Sequence, residues 1–435
     1  MVRFLLVLIS IGIFFSCQSR EQVDFNTQIK PIINKKCISC HGGVKKTSGF
    51  SLLFKEEALG NTDEGSPAII PGNSSKSRLI KRLHETDLEL RMPFEKPALS
   101  EKEIKLFTNW IDQGAKWGTH WAYIPPKKSK LPKPSKKFNE ISFIDTPIDN
   151  FIAEKLDQNN LLPNDQAPNN ILARRVAFDI TGLPPTQNLY NLYLKNEISY
   201  ENFVDSLLSS KSYGEKWASW WLDLARYADT RGYEADRGRM IWKYRDWVIN
   251  ALNDDMPFDE FTINQLAGDL LKNPTIDNYI ATGFHRNTMT NDEGGTSNEE
   301  YRIASVIDRV NTTFDVWQGT TISCVQCHAH PYDPIRHKEY YEIMSFFNNT
   351  RDYDHTTEEP NYRFYSEEDQ LKIQKVFKWV ETYGDENLRD KYEDFIYLLE
   401  PKVLTNEINS EVIYNSGNVN SMQELYFRNN GSALL

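Results

Sequence analysis

Apolar residues in this chain recur mostly every three or four positions, the spacing of a helix that buries one face. Phe25, Ile29 and Ile32/Ile33 make the first such stripe; Asp24 and Asn26 are placed to cap it, and Pro31 to kink it or start a fresh helix. The turn Pro71-Gly72-Asn73-Ser74 leads into Leu79, Ile80 and Leu83. Ser100 and Glu103 form a capping box ahead of Ile104, Phe107, Trp110 and Ile111, and Gly114 closes that helix. Ile148, Phe151/Ile152 and Leu156 repeat the pattern, as do Trp217, Trp220/Trp221, Leu224 and Tyr227, a stripe read as core. Thr181-Gly182-Leu183-Pro184-Pro185 is a firm break. Two more helices are expected around residues 370–380 and 388–399. After Pro401, Val412, Tyr414, Leu425 and Tyr426 hint at strands. The pattern predicts a mainly α chain with the possible start of a β-rich region at its C-terminal end.

One apolar run breaks the rule. Residues 4–15 form an apolar run behind Arg3, broken only by Ser10 and Gly12, too short for the roughly 20 residues of a membrane-spanning helix, and read as an export signal. Ser16-Cys17 closes the run in the manner of a bacterial lipoprotein cleavage site, although Phe14 and Phe15 stand where smaller or aliphatic residues are usual. The expectation is a lipid on Cys17 that anchors the protein to a membrane without spanning it, in the periplasm or at the cell surface; the alternative is ordinary secretion with a spare thiol. The 435 residues allow two or three domains. A net charge of −11 argues against nucleic acid as a partner.

The chemistry concentrates in two short motifs. Cys37-Ile38-Ser39-Cys40-His41 and Cys324-Val325-Gln326-Cys327-His328 are both CxxCH, the pattern of c-type haem attachment, with the histidine as proximal iron ligand. Histidine is 8 of the 435 residues, so a chance CxxC is followed by His about one time in fifty. Cys17 alone lies outside the motifs, which makes a disulfide framework unlikely to be the purpose of these thiols. After the first motif, Met92 sits in Arg91-Met92-Pro93 just ahead of the capped helix, and is the candidate sixth ligand; the bland alternative is a methionine filling the core.

The second motif has a different setting, His330 following as His-x-His before Pro331-Tyr332-Asp333-Pro334. Two readings stand side by side. In one, Cys324 and Cys327 hold a second haem, His328 is its proximal ligand, and His285 is the distal candidate with Met289 and His337 behind it. In the other, Cys324, Cys327, His328 and/or His330 bind zinc. Elsewhere, Arg174, Arg175, Arg226, Arg231, Arg237, Arg239 and Arg245 lie among aromatics. They are read first as ion pairs with Asp223, Asp229, Asp236 and Asp246, and second as holders of haem propionates. Asn291-Asp292-Glu293-Gly294-Gly295 with Glu299-Glu300 makes Asp292 and Glu293 weak catalytic or cation-binding candidates, against a solvated loop that caps a helix beginning near Ser297.

CISCHGG, PGNSSKSRLIKRL and RMPFEKPALSEKEIKLFTNWIDQGAKWGTHWAY resemble the planctomycete-type cytochrome c domain. IDNFIAEKL, RRVAFDITGLPPT, YGEKWASWWLDLARYADTRGYE, GFHRNTMTNDEGG and CVQCHAHPYDPI are similar to the function-unknown domain that usually accompanies it. The resemblance implies a small class-I-like cytochrome c domain and a larger mostly helical domain. The expected segments are a signal and anchor over 1–17, the cytochrome c-like domain over 18–123, a Lys/Pro-rich linker over 124–143, the helical domain with the second CxxCH over 144–350, and a helical then β-like region over 351–435. Relatives usually continue further, so the chain reads as a fragment. The function expected is electron transfer through haem c, with two haems and a redox partner. The alternatives are a haem-dependent oxidoreductase acting on carbohydrate or a related polymer, and a one-haem binding module with zinc at the second motif.

Overall fold

The computed structural model describes residues 22–119, 121–291, 293, 297–350, 361–363, 367–388, 391 and 402–404. Among them the protein is mainly α-helical. The chain divides into two units, Met1–Lys130 with Ile322–Tyr340, and Leu131–Thr321 with Tyr341–Leu435.

The first unit opens on a π-helical turn, Phe25–Ile29, that runs directly into α1 (Lys30–Lys36) with Pro31 in its first turn. Proline is tolerated there because the first N–H groups of a helix have no partner in any case, so the chain restarts rather than breaks. The Asp24 carboxylate accepts the Thr27 N–H, which holds it below the usual carboxylate range. Two short helices follow, α2 (Lys55–Leu59) and α3 (Arg78–His84), and then α4 (Glu101–Asp112). The expected capping box at Ser100 and Glu103 is formed in both directions. Ile104, Phe107, Trp110 and Ile111 are all buried, packed with Phe25, Ile29, Ile33, Leu52, Ile69, Ile80 and Leu83 in one core. Aromatic contacts tie the two ends of this unit together: Phe25 lies 4.3 Å from Trp117 and 5.6 Å from Trp110, ring centre to ring centre.

The second unit is a succession of helices. After α5 (Lys136–Glu140) come α6 (Pro147–Gln158), α7 (Asn169–Thr181), α8 (Gln187–Leu194), α9 (Tyr200–Leu208), α10 (Lys211–Leu224), α11 (Trp242–Asn253), α12 (Phe258–Ala267), α13 (Ile276–Ala281) and α14 (Asn298–Thr313). α7 stops at Thr181, at the expected Gly-Leu-Pro-Pro break. Ala173, Ala177, Tyr193, Phe203 and Leu207 make one small core from α7, α8 and α9. A larger one gathers Ala218, Ile241, Tyr244, Trp247, Val248, Phe261, Ile280 and Phe284. Two stripes pack differently from their periodicity. On α10 the buried positions are Gly214 and Ala218, and Trp221 packs on the larger core, while Trp220 is 64% exposed and Leu224 50%. On α6 the buried residue is Ala153, and Ile148, Phe151 and Ile152 are exposed. In both helices the buried positions are small residues, and on α10 Gly214 is where the backbone of the neighbouring helix comes close.

Residues 322–340, part of the expected 144–350 domain by sequence, pack in the first unit. The reason is local. The Arg336 guanidinium lies 4.0 Å from the centre of the Phe54 ring and pairs with Glu56 at 3.3 Å and Glu57 at 3.4 Å. Arg336 also leads into α15 (His337–Phe347), its N–H bonded to Glu339 at 2.7 Å. Farther along, Glu367–Tyr383 is helical, covering the expected 370–380 element. Asn361–Arg363 pairs antiparallel with Lys402–Leu404, Tyr362 opposite Val403. The expected strands near Val412, Tyr414, Leu425 and Tyr426, most of the 388–399 helix, and the 1–17 signal with Cys17 lie outside the described residues. Among the described residues no helix is long and apolar enough to cross a membrane.

Candidate haem sites

α1 delivers the first motif. The Cys37 N–H bonds to Ile33 O at 2.8 Å and so ends the helix, and the Cys40 and His41 N–H groups both turn back to Cys37 O, at 3.1 and 3.0 Å. This single turn puts the two thiols and the imidazole on one short segment. The segment is pinned from outside by Thr47 N–H to Cys40 O at 3.0 Å and Leu52 N–H to His41 O at 2.8 Å. His41 Nδ1 is 3.3 Å from Phe50 O, and the two rings meet edge-on at 5.2 Å. With the Nδ1 proton assigned to that carbonyl, Nε2 carries the lone pair, the arrangement of a histidine held for a metal by its second nitrogen. Burial lowers the pKa of His41, and burial pushes the Cys37 thiol up to about 11.

Met92 lies across a cavity of about 510 Å³ that Cys37, Cys40, His41, Phe50, Leu83 and Met92 help to line. That is within the 300–1,000 Å³ range of cofactor pockets. The methionine loop is fixed by its own backbone, Met92 N–H to Arg82 O at 2.9 Å, while the Arg82 guanidinium holds Leu90 O at 3.0 Å and Arg91 holds Lys96 O at 3.1 Å. Lys45, Arg82 and Lys96 give the same cavity a cationic edge; Arg78, also in its wall, pairs with Glu64. Two thiols, an imidazole, a thioether, an apolar body and a cationic edge fit a c-type haem, its propionates matching the cations. Sequence reasoning missed Phe50 and Arg82. The orienting carbonyl belongs to the backbone and leaves no residue signature, and Arg82 lies on α3 without a motif of its own.

The second motif is a 3₁₀ turn over Ser323–Gln326, closed by Cys327 N–H to Cys324 O at 3.3 Å, the bond that also closes the first. Val325 is buried beneath it, and its carbonyl lies 2.7 Å from His337 Nδ1. Cys324 is half-buried and Cys327 exposed, both as free thiols. His328 Nδ1 is 2.8 Å from Ala329 O, so Nε2 is again the nitrogen left for a metal. His330 is engaged otherwise. Its Nδ1 accepts the N–H groups of Tyr332 at 3.2 Å and Asp333 at 2.8 Å, and its own N–H bonds to Ile335 O at 2.9 Å. The buried ring organises the following turn. Among the described residues no three His, Cys, Asp or Glu side chains converge as a metal-holding group. A structural zinc takes four ligands arranged as a tetrahedron, so the zinc reading finds no support in this arrangement. Haem needs only the thiols and one imidazole from this segment.

Comparison with known proteins gives the same order of parts. Residues 37–95 match the family described as Planctomycete cytochrome C, and residues 147–352 match the family described as Protein of unknown function (DUF1549). The chain thus carries a match to a planctomycete cytochrome c domain followed by a match to a DUF1549 domain. Over 127 residues it is also 26% identical to the hydrazine synthase subunit alpha of Kuenenia stuttgartiensis, an alignment that covers 22% of this chain and 16% of that relative. No solved structure matches.

The DUF1549 domain holds the remaining candidates. His285 lies in the 3₁₀ segment Thr282–Arg286, fully buried, its ring 5.2 Å from Phe284 and 5.1 Å from Phe347. It belongs to the second unit, whereas Cys324–His328 belongs to the first; Met289 is 54% exposed. Asp292 lies outside the described residues. The Glu293 N–H bonds to the Asn291 side chain at 2.9 Å, and Ser297 caps α14 as expected, accepting the Glu300 N–H. Among the arginines, Arg245 pairs with Asp246 at 3.0 Å, as expected. Arg226 pairs at 2.7 Å with Asp308, a partner distant in sequence, and Arg174 lies 4.8 Å from the Phe178 ring centre. Arg239 is buried and holds Arg286 O at 3.2 Å and Thr288 O at 2.8 Å. This arginine stitches backbone, a role that Asp-counting along the sequence does not reveal.

Proposed function

We propose that the protein is an exported c-type cytochrome that carries electrons through two covalently bound haems, tethered to a membrane by a lipid on Cys17 and working with a separate redox partner. One observation carries the reading: Cys37, Cys40, His41 and Met92 line a single cavity of cofactor size. Cys37 and Cys40 would hold the group covalently at the first site, and His41, through Nε2, and Met92 would be its iron ligands. The bound group supplies one-electron chemistry. The chain supplies the rest. The Phe50 carbonyl orients His41, the Arg82 backbone positions Met92, and Phe50, Leu52, Leu79 and Leu83 give the cavity apolar walls. With both His41 and Met92 committed to it, the iron would have no vacancy for substrate, which favours electron transfer over catalysis. Cys324, Cys327 and His328 hold the second group. Of the candidates for its distal ligand, His337 lies in the same unit.

Met92→Ala tests the first site. The oxidised protein is expected to lose its methionine-to-iron charge-transfer band entirely and its midpoint potential to fall, because a thioether opposite histidine raises the potential. A wild-type spectrum without that band overturns the assignment of Met92.

A further inference from the structure

Gly43, two residues beyond His41, is the point at which the two attachment loops touch. A Cβ built there would lie 2.7 Å from His330 O and 2.9 Å from Ala329 O, so no side chain fits and backbone meets backbone. Ala329 and His330 follow His328 directly, and each histidine that would bind iron is therefore within two residues of the contact. Both faces of the contact are held rigidly. On the first loop Gly42 N–H bonds to Lys45 O at 2.8 Å and Leu52 N–H to His41 O at 2.8 Å. On the second, the His330 ring fixes the turn through Tyr332 and Asp333, and Arg336 fastens the segment to Phe54, Glu56 and Glu57. The two motifs are 287 positions apart, counting from Cys37 to Cys324 (324 − 37). A contact this close between them is a property of the fold and not of chain proximity.

We infer that Gly43 and the Ala329–His330 backbone act as a spacer that holds the two haems as one electronically coupled pair. The inference rests on the dihaem reading and deepens it. Exchange within such a pair would move one electron, an Fe(II) at one site becoming Fe(III) as the Fe(III) at the other became Fe(II), with no bond made or broken and no proton moved. Gly43 is a positioning residue in this scheme, since it touches neither iron.

The test is Soret-region circular dichroism of the full chain matured with haem-c assembly machinery, with the haem count taken on the same sample. Two haems and a bisignate couplet are expected. The Cys324→Ala/Cys327→Ala variant, with one haem, should lose the couplet and show a single-signed band. Gly43→Val should keep two haems, lose at least half the couplet amplitude and shift the separation of the two midpoint potentials. Two haems whose spectrum equals the sum of the two single-haem variants would overturn the pair and leave the dihaem reading standing. One haem per chain would overturn both. If Gly43→Val does not fold, the comparison of wild type with the single-haem variants decides alone.

Discussion

Lys36 and Glu103 join the helix that delivers the first motif to the helix that closes the core, at 2.8 Å with side chains about a quarter exposed. The Lys36 ammonium, together with the N–H and hydroxyl of Ser100, holds the Glu103 carboxyl at about 2, below its ordinary 4.5. A carboxylate with a depressed pKa stabilises the fold fully above the unfolded value, and that contribution disappears as pH falls from 4.5 toward 2. Glu103→Gln should therefore lower stability at pH 6 by about 1 kcal/mol, the scale of a good exposed ion pair plus a cap. The difference from wild type should vanish near pH 2. Denaturant unfolding of both proteins at pH 6, 4 and 3 checks this; a gap that stays constant with pH would contradict it. At the same scale, His41 was legible from its neighbours in sequence, because CxxCH is a covalent motif with one spacing. The Phe50 carbonyl that orients it was not, since every residue has a carbonyl and only the fold selects one.

Elements were legible where local chemistry and packing agree. The capping box at Ser100, the proline restart at Pro31 and the stop at Thr181 all appear where the residues place them. The tryptophan stripe of α10 shows where the agreement ends. Gly214 on α10 meets α11 so closely that an added Cβ would lie 2.4 Å from Ile249 O and 2.6 Å from the Asn253 side chain, which itself accepts the Gly214 N–H at 2.8 Å. Backbone contact of this kind sets which face is buried, and the bulky residues turn aside to accommodate it. Periodicity reads hydrophobicity, and it does not register that a glycine can bury a face better than a tryptophan. Gly214→Ala should thus destabilise the protein by about 1–3 kcal/mol, as overpacking does, in spite of the better helix propensity of alanine. Thermal unfolding monitored by far-ultraviolet circular dichroism measures it; a rise in the midpoint would show that α10 and α11 have room to separate.

At the scale of the whole molecule, sequence order and spatial order part company. By sequence and by family match the second CxxCH belongs to the DUF1549 domain, yet Ile322–Tyr340 folds with the cytochrome c domain. The anchors responsible are Arg336 against Phe54, Glu56 and Glu57, and Gly43 against Ala329 and His330. Each is a long-range pair of residues unremarkable in isolation, so no motif announces it. Both CxxCH sequences therefore lie in one unit. The central claim is that both motifs carry haem. Pyridine haemochrome counting on the full chain, matured where haem c is assembled, tests it most directly. Two covalently bound haems per chain are expected, falling to one in Cys324→Ala/Cys327→Ala and to one in Cys37→Ala/Cys40→Ala. A single haem in the wild type, unchanged by substitution at Cys324 and Cys327, would contradict it.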